Sequence, residues 1–272
     1  MTDDDRPVHL AKAILDRLSR AQPVSVLGVR SARTTEIARI ARATGHDAIW
    51  VDLEHSTMPI DAAATICAAA LDLELFPFVR VPEREYGVIG RLLDGGALGI
   101  IAPRIETHEQ AAEVVAACRF PPLGHRSAIA TLPHVGFQRL PPDHLNERMN
   151  RATLVKVLIE SPLGIENIES IANVAGVNIV GIGTNDLCAE LGVAGDFRNP
   201  RVRKAHEAAL AACRRARKPL SIGGIGDVAY AAELVRAGAA PLMFTGIDTD
   251  LLLTAAQDRL RQTLAALNPP RP

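Results

Sequence analysis

Eight short apolar segments, each followed by a segment of helical periodicity, constrain the fold of this chain more than any other feature. Apolar runs bounded by turn residues are typical of buried strands, and strands that alternate with helices form a parallel sheet. Eight such units within 272 residues predict an α/β fold, a (β/α)₈ TIM barrel with an N-terminal helix. The predicted strands are Val24–Val29, Ala48–Leu53, Phe76–Arg80, Leu98–Ala102, Leu154–Ile159, Asn178–Ile182, Pro219–Ile222 and Pro241–Phe244.

An open, doubly wound sheet is the main alternative to the barrel. A dinucleotide-binding fold of that kind carries G-x-G-x-x-G after its first strand, whereas the turn here reads Arg30-Ser-Ala-Arg-Thr. The glycine-rich stretch Gly223-Gly-Ile-Gly226 follows a late strand, where it is either a ligand loop or a plain tight turn. The sequence therefore favours the barrel.

No linker or break in composition divides the chain, so we expect a single domain over residues 1–272. Residues 1–20 would form an acidic tail followed by an amphipathic helix. Residues 119–150, after the fourth helix of the barrel, contain several prolines and no long periodic run, apart from one helix predicted around 142–150. Long loops in compact domains are usually functional or contact a partner, and we expect the same of this excursion.

Composition excludes several classes of function. The chain has 30 Lys and Arg against 31 Asp and Glu, and its net charge of −1 provides no basic field for nucleic acid. No run approaches the ~18 apolar residues of a membrane helix. The four cysteines show no C-x-x-C spacing, and the acidic N-terminus does not resemble a signal peptide. These features predict a reduced, cytoplasmic protein.

Ionisable residues gather at the points where predicted strands end. Because barrel enzymes place their chemistry at the carboxyl ends of the strands, we expect these side chains to converge. Burying this many ionisable side chains inside the barrel is costly, so their presence indicates a function. The second strand alone, with its cluster at residues 52–55, could form a metal site. The converging residues are Asp52, Glu54 and His55 after the second strand, Arg80 in the third, Glu160 after the fifth and Asp186 after the sixth.

Glu160 and Asp186 allow two interpretations. Two carboxylates at one barrel mouth repel each other unless a proton or a cation lies between them, and oxygen ligands favour Mg²⁺ or Mn²⁺. Alternatively, each pairs with a base at the rim, and Lys156 and Arg80 could do so. Lys156 also raises the question of Schiff-base chemistry, which needs a desolvated lysine in the barrel. Its position deeper along the strand, and the nearby carboxylates, favour the metal-dependent mechanism.

Three further side chains could lie at the site or away from it. Trp50 is expected to pack within the second strand and not to stack on a ligand. Arg126 either pins the excursion or contacts a substrate or a neighbouring molecule. His134, in the same excursion, is expected to lie away from the site.

Seven motifs, in order and at similar spacing, resemble those of the HpcH/HpaI aldolases, metal-dependent (class II) pyruvate aldolases. Each motif is weak alone, but the set is specific, and the resemblance covers about residues 20–265. The motifs are Asp52-Leu-Glu54-His55, Val79-Arg80-Val-Pro, Leu93-Asp94-x-Gly, Pro121-Pro-x-Gly-x-Arg126, Ile159-Glu160, Gly183-Thr-Asn-Asp186-Leu and Gly246-Ile-Asp248-Thr.

The resemblance implies a role for each matching residue. Glu160 and Asp186 would hold the metal, and Arg80 would stabilise charge at the keto oxygen. His55 would act as the base, with Asp94 orienting its ring. The amides of Thr184 and Asn185, at the start of the sixth helix, would bind the substrate carboxylate beside Asp186. Asp52 and Glu54 would hold the imidazole and the metal waters in place.

Two positions depart from the family pattern and affect substrate choice. Leu158 stands two residues before the metal glutamate, where some members carry Gln, so this substrate-binding position cannot donate a hydrogen bond. Asn185 stands where others have Ala and adds a polar group. These differences weaken the transfer of any particular substrate.

The function implied by the resemblance is reversible cleavage of 4-hydroxy-2-oxo acids to pyruvate, or a close analogue, and an aldehyde through a metal-stabilised enolate. Alternatives are a Claisen-type or other carbon–carbon lyase or synthase on the same scaffold, and a barrel that binds keto acids without catalysis. The implied cofactor is Mg²⁺ or Mn²⁺, with Co²⁺ and Zn²⁺ as further candidates, and no organic cofactor is expected. The family also implies a homo-oligomer, a trimer or a hexamer.

Overall fold

Eight parallel strands form the centre of the computed structural model, which describes residues 5–267. The predicted barrel is confirmed, and the ends of three strands are as predicted, while the others differ by three residues or fewer. The strands are β1 (Val24–Val29), β2 (Ala48–Asp52), β3 (Phe76–Arg80), β4 (Gly99–Ala102), β5 (Leu154–Ile159), β6 (Ile179–Gly183), β7 (Leu220–Gly223) and β8 (Leu242–Ile247).

Hydrogen-bonded ladders join the strands in the order β7-β6-β5-β4-β3-β2-β1-β8. Within residues 5–267 no ladder joins β7 to β8. The amide of Ala240, just before β8, donates to the carbonyl of Leu220 in β7 at 2.7 Å. The sheet is therefore a nearly closed barrel, and the carboxyl ends of all eight strands face one side.

Helices follow the strands around the outside of this barrel. The helix predicted over residues 162–174 is interrupted at Asn167 and forms α7 and α8. The helix after β6 begins at Thr184, which places Asp186 in its first turn. Residues 1–4 of the predicted tail lie outside the described residues. The helices are α1 (Arg6–Ser19), α2 (Glu36–Ala43), α3 (Ile60–Asp72), α4 (Ile89–Asp94), α5 (His108–Cys118), α6 (Pro142–Ala152), α7 (Pro162–Glu166), α8 (Ile168–Ala172), α9 (Thr184–Glu190), α10 (Pro200–Arg215), α11 (Val228–Arg236) and α12 (Asp248–Leu267).

The excursion at residues 119–150 helps to close the amino end of the barrel. Its predicted helix forms as α6, and Leu145 and Met149 of α6 join Ile14 and Leu18 of α1 in one buried apolar cluster beneath the strands. Buried Arg119 fixes the start of the excursion by donating to the carbonyl oxygens of Asn150 and Thr153 at 2.8 and 2.7 Å. The excursion therefore has a structural role at the face opposite the strand carboxyl ends.

The last helix, α12, does not pack as the other outer helices do. None of its described residues is buried, and Leu252 and Leu260 are 71% and 61% exposed. The strand beside it, β8, is buried only at Leu242, whereas β3, β4 and β5 are buried along their whole length. This side of the barrel thus exposes an apolar helix next to an incompletely covered strand.

The four cysteines are all buried and none forms a disulfide, as expected for packed thiols. Burial raises the pKa of Cys67, Cys118 and Cys213 to about 12, so these thiols remain protonated and unreactive. No helix within residues 5–267 has the length and apolar character that crossing a membrane requires.

Candidate active site

The carboxyl ends of the strands surround a cavity of about 580 Å³. Acidic and imidazole side chains stand at its rim, and larger apolar and basic side chains line its interior. The cavity brings together six of the residues predicted from the sequence, namely His55, Arg80, Leu158, Glu160, Asn185 and Asp186.

Asp52 holds two arginines in place from the end of β2. Its carboxylate is 1% exposed and accepts two hydrogen bonds from Arg80, at 3.0 and 2.8 Å, and one from Arg30 Nε at 3.1 Å. Burial pushes the pKa of Asp52 upwards, but the hydrogen bonds and charge of Arg80 outweigh it, so this pKa lies below its usual value. Asp52 therefore stays ionised and orients Arg80. Asp52 also accepts a hydrogen bond of 3.3 Å from the backbone amide of His55, so it contacts the residue it was expected to hold through the main chain and not through the ring.

Arg80 presents a fixed guanidinium to the cavity. Besides its two bonds to Asp52, its Nη1 atom lies 3.0 Å from a carboxylate oxygen of Glu54, and its Cζ atom lies 4.8 Å from the Trp50 ring centroid. Trp50 thus packs as predicted, and it also lines the cavity. A side chain held on three sides keeps one orientation, which suits a group that must stabilise charge at one position.

His55 extends into the cavity mouth and its side chain is 54% exposed. Its Nε2 atom lies 3.7 Å from a carboxylate oxygen of Glu54, which can stabilise a protonated ring. Burial is the main reason that the pKa of Glu54 is raised, while Arg80 pulls it down and Asp186 adds to the rise. The ring is therefore accessible both to solvent and to a molecule bound in the cavity.

The structure does not bring Asp94 to His55 within one chain, and the role of Asp94 beside His55 stays a prediction. Asp94 ends α4, which runs back from the cavity side to the amino end of the barrel, and Gly95 and Gly96 then lead into β4. There its carboxylate accepts a hydrogen bond from Arg126 Nη2 at 2.7 Å. Arg126, 3% exposed, therefore pins the excursion to α4, and Glu54 takes the position beside His55 that Asp94 was expected to hold.

Glu160 and Asp186 stand together at the rim, at the ends of β5 and β6. Glu160 is 4% exposed, and its Oε2 atom accepts a hydrogen bond of 2.8 Å from the amide of Arg104. Burial raises the pKa of Glu160 to about 7 against that hydrogen bond, and the charges of Glu54 and Asp186 contribute to the rise. The alternative of pairing with Lys156 is not observed, because no ion pair joins Glu160 to any base among the described residues.

Gly183 leaves the space that the Glu160 carboxylate occupies. A β-carbon at this inward position of β6 would lie 2.3 Å from Glu160 Oε1, closer than a β-carbon approaches an atom to which it is not bonded. A second glycine, Gly224, has φ +76°, and a β-carbon there would crowd the amides of Thr184 and Asn185, at 3.3 and 3.2 Å. The stretch Gly223-Gly-Ile-Gly226 therefore lines the cavity and keeps those two amides open to it.

The side chain of Thr184 does not face the cavity. It is fully buried, and its Oγ1 atom lies 3.3 Å from Nε2 of buried His206. Only the backbone amide of Thr184 remains available for the predicted binding role, while Asn185 lines the cavity itself.

Sequence reasoning assigned no role in the site to Arg30 or to Asp248. Arg30 lines the cavity, and Asp248 at the start of α12 accepts hydrogen bonds of 2.7 to 2.9 Å from the amides of Arg30, Ser31 and Ala32. An acid at the first turn of the last helix was the available signal. Lys156, which was expected to lie in the barrel, also lines the cavity.

A family model described as HpcH/HpaI aldolase/citrate lyase matches residues 27–255. The chain belongs to this family. A 4-hydroxy-4-methyl-2-oxoglutarate aldolase of Hapsidospora irregularis is 37% identical over 220 residues, which are 80% of this chain and 82% of that protein. A 2-keto-3-deoxy-L-rhamnonate aldolase of Salmonella paratyphi A is 31% identical over 231 residues, 85% of each chain. The crystal structure of an HpcH/HpaI aldolase from Desulfitobacterium hafniense superposes with a TM-score of 0.85 at 26% identity, covering 94% of this chain and 98% of that one.

Membership of the HpcH/HpaI family confirms the predicted resemblance and the predicted class of enzyme, a carbon–carbon lyase of the pyruvate aldolase type. Aldolases of this family generally depend on a divalent metal and act on small keto-acid and aldehyde substrates. The family does not assign roles to the residues of the cavity, which have to be argued from their geometry.

Proposed function

We propose that this HpcH/HpaI enzyme cleaves 4-hydroxy-2-oxo acids reversibly to pyruvate, or a close analogue, and an aldehyde or ketone. One observation carries the proposal. Two carboxylates (Glu160 and Asp186), a fixed guanidinium (Arg80) and an exposed imidazole (His55) face one cavity at the carboxyl ends of the strands. Together these four groups can bind a keto acid, stabilise its negative charge and move a proton.

Glu160 and Asp186 fit a hard divalent cation, Mg²⁺ or Mn²⁺, with Co²⁺ and Zn²⁺ as candidates to test. Glu160 is buried beside other acidic groups, and Gly183 leaves a space for its carboxylate that any side chain would fill. Mg²⁺ is usually held by one or two carboxylates and keeps positions open for water and substrate, which agrees with the two protein ligands here. A cation bound there supplies a Lewis acid that polarises the keto group.

Arg80 and His55 carry the steps that we assign to protein side chains. His55 Nε2 removes the proton from the 4-hydroxyl group, and the C3–C4 bond breaks as the carbonyl of the leaving fragment forms. The electron pair of that bond moves towards C2 and its oxygen, where Arg80 stabilises the negative charge. A proton then returns to C3 and completes the pyruvate methyl group. The amides of Thr184 and Asn185 bind the carboxylate of the pyruvyl half.

Replacing His55 by Ala is expected to lower the rate of cleavage by ~10²–10⁴-fold, as for loss of a general base. The fold should be unaffected, since the side chain is exposed and the variant leaves Asp52 and Arg80 in place. Single-turnover pyruvate release measures the loss, and the thermal midpoint of unfolding reports on the fold. His144→Ala, which removes an exposed imidazole from α6, serves as the comparison. Full retention of activity in His55→Ala would place the base elsewhere.

The proposed activity is tested by incubating the protein with a panel of 4-hydroxy-2-oxo acids and measuring pyruvate release with and without added Mg²⁺ or Mn²⁺. We expect release that requires a divalent metal and stops with EDTA. Metal-dependent release from at least one member of the panel supports the proposal. Absence of release from every member with every divalent metal would contradict it.

We further propose that the protein is a homo-oligomer, a trimer or a hexamer. Along α12 the exposed residues Leu253, Leu260 and Leu267 recur every seven positions and therefore share one face. Burying each leucine stabilises by roughly 1.5–3 kcal/mol, so the exposed face is a strong reason for association. The incompletely covered β8 of another copy is the surface we expect this face to meet.

Replacing Leu260 by Lys is expected to shift the protein towards a monomer, because a charge would be buried in the proposed contact. Size-exclusion chromatography with light scattering measures the mass. Gln262→Lys adds the same charge to the opposite side of α12 and should leave the mass unchanged. A monomeric wild type, or an unchanged mass for Leu260→Lys, would count against the proposal.

A further inference from the structure

A buried histidine behind the cavity takes part in no step of the proposed mechanism. His206, in α10, is 1% exposed, and its ring lies between side chains of two other helices. Its Nε2 atom lies 3.3 Å from Thr184 Oγ1 in α9, and its Nδ1 atom lies 3.3 Å from the hydroxyl oxygen of Tyr230 in α11. The imidazole therefore joins α9, α10 and α11 through a hydrogen bond on each side of the ring.

The His206 ring is neutral, and this suits it to two hydroxyl partners. Burial lowers the pKa of His206 to about 4, so the ring carries a single N–H at neutral pH. A neutral imidazole donates from one nitrogen and accepts at the other, while a hydroxyl group can do either. Both contacts can therefore be hydrogen bonds at the same time. Thr184 and Tyr230 are buried as well, so water cannot replace the ring as their partner.

Thr184 is the first residue of α9, and the residues that follow it belong to the candidate site. Asn185 and Asp186 both line the cavity. The residue before α9 is Gly183, which has no side chain to cap the helix. The hydrogen bond between Thr184 and His206 is therefore a side-chain anchor for the start of α9.

Tyr230 fixes the other end of this network to α11. Asp227 caps α11 by accepting a hydrogen bond of 3.0 Å from the Tyr230 amide, and it directly follows the glycine stretch at residues 223–226. Arg198 donates to Asp227 at 3.1 Å, and its Cζ atom lies 4.7 Å from the centroid of the Tyr230 ring. Tyr230 is thus held at its backbone and at its ring, and it gives His206 a fixed support.

We propose that His206 is a positioning residue, which holds Asp186 where it binds the metal by fixing Thr184 at the start of α9. This inference rests on the proposed function, because it takes Asp186 as a metal ligand. Asp186 lies two residues after Thr184 in the same turn of helix, so a rotation of that turn displaces both. Removing a group that orients a metal ligand, without itself touching the metal, typically costs roughly 10- to 100-fold in metal affinity or activity.

The experiment replaces His206 by Leu, which has a similar volume and no hydrogen-bonding atom in its side chain. The full-length protein is titrated with Mn²⁺ by calorimetry in the absence of substrate. We expect the dissociation constant for Mn²⁺ to rise roughly 10-fold, while turnover at saturating Mn²⁺ and substrate stays close to that of the wild type. His206→Gln, whose side-chain amide can reach Thr184 as the ring nitrogen does, should restore most of the affinity.

Two further variants separate positioning from a general loss of stability. Thr153→Val removes a buried hydrogen bond of 2.8 Å to the carbonyl of Met149 at the amino end of the barrel. It should lower the thermal midpoint of unfolding and leave the Mn²⁺ affinity unchanged. Thr184→Val removes the hydroxyl that faces His206, so it should weaken Mn²⁺ binding as His206→Leu does, and the double variant should bind no more weakly than either. Thr184→Val carries the test if His206→Leu does not fold.

Two results would overturn the inference alone. One is unchanged Mn²⁺ affinity in both His206→Leu and Thr184→Val, together with metal-dependent cleavage by the wild type. The other is an equal loss of affinity in Thr153→Val, which would trace the effect to stability. If the wild type bound no Mn²⁺, or released pyruvate from no 4-hydroxy-2-oxo acid, the proposed function itself would fail and the positioning role with it.

Discussion

Replacing Asp186 by Asn or Glu160 by Gln is expected to lower metal-dependent cleavage by roughly 10³-fold or more, because each change removes one of two protein ligands to the cation. Both replacements keep the size of the side chain, so the hydrogen bond from the Arg104 amide to position 160 can persist. Calorimetric titration with Mn²⁺ should show weaker metal binding in parallel with the loss of pyruvate release.

The matched control for these two variants is Glu207→Gln, which removes an exposed carboxylate from α10. It should retain both metal binding and activity. Full activity of Glu160→Gln or Asp186→Asn in the presence of EDTA would contradict the metal assignment. Loss of activity with unchanged Mn²⁺ affinity would move the metal to other residues.

Replacing Asp52 by Asn is expected to lower the free energy of unfolding by roughly 1–3 kcal/mol, the range for a buried group that loses a hydrogen-bond partner, because Glu54 still pairs with Arg80. Asp52 is 1% exposed and Arg80 7% exposed, so the guanidinium would keep little solvent to replace its partner. Activity should fall as well, because Arg80 loses the two bonds that orient it. Urea unfolding followed by circular dichroism measures the stability.

The contribution of Asp52 also has a defined dependence on pH. Its pKa in the folded chain lies below the value of 3.8 that it has when unfolded. The unfolded chain therefore binds the proton more readily, and stability is lost as the pH falls through the folded pKa. The contribution of ionised Asp52 to the free energy of unfolding is fully present above pH 3.8. The wild type should thus lose stability at acid pH by more than Asp52→Asn does, whereas parallel pH profiles would show that the pair does not contribute.

The barrel could be predicted from the sequence because its determinants are local. Each strand is a short apolar run that is buried on both faces, and each helix begins or ends near a turn residue. Val24–Val29 and Leu154–Ile159 were located without error for this reason. The rim residues could be predicted too, since a side chain that directly follows a strand of a parallel barrel must stand at the mouth.

Positions that depend on the direction of a chain segment in space were harder to predict. Asp94 was assigned to His55 on the resemblance alone, although the helix it ends runs back to the amino face. The role of the excursion depends on contacts with α1, more than one hundred residues earlier in the chain. That the Lys156 side chain passes beside Gly181 depends on the space this glycine leaves, which no local pattern in the sequence reveals.

Exchange of the pyruvate methyl protons in heavy water is the most direct test of the central claim, since it needs only the donor half of the reaction. The protein is incubated with pyruvate and Mn²⁺ or Mg²⁺, and the methyl signal is followed by proton NMR. The pyruvate methyl protons could exchange although the protein releases pyruvate from no 4-hydroxy-2-oxo acid. This combination would favour another carbon–carbon lyase or synthase on the same scaffold. We predict exchange that requires the metal, stops with EDTA and is lost in Glu160→Gln. No exchange with any divalent metal would contradict the account.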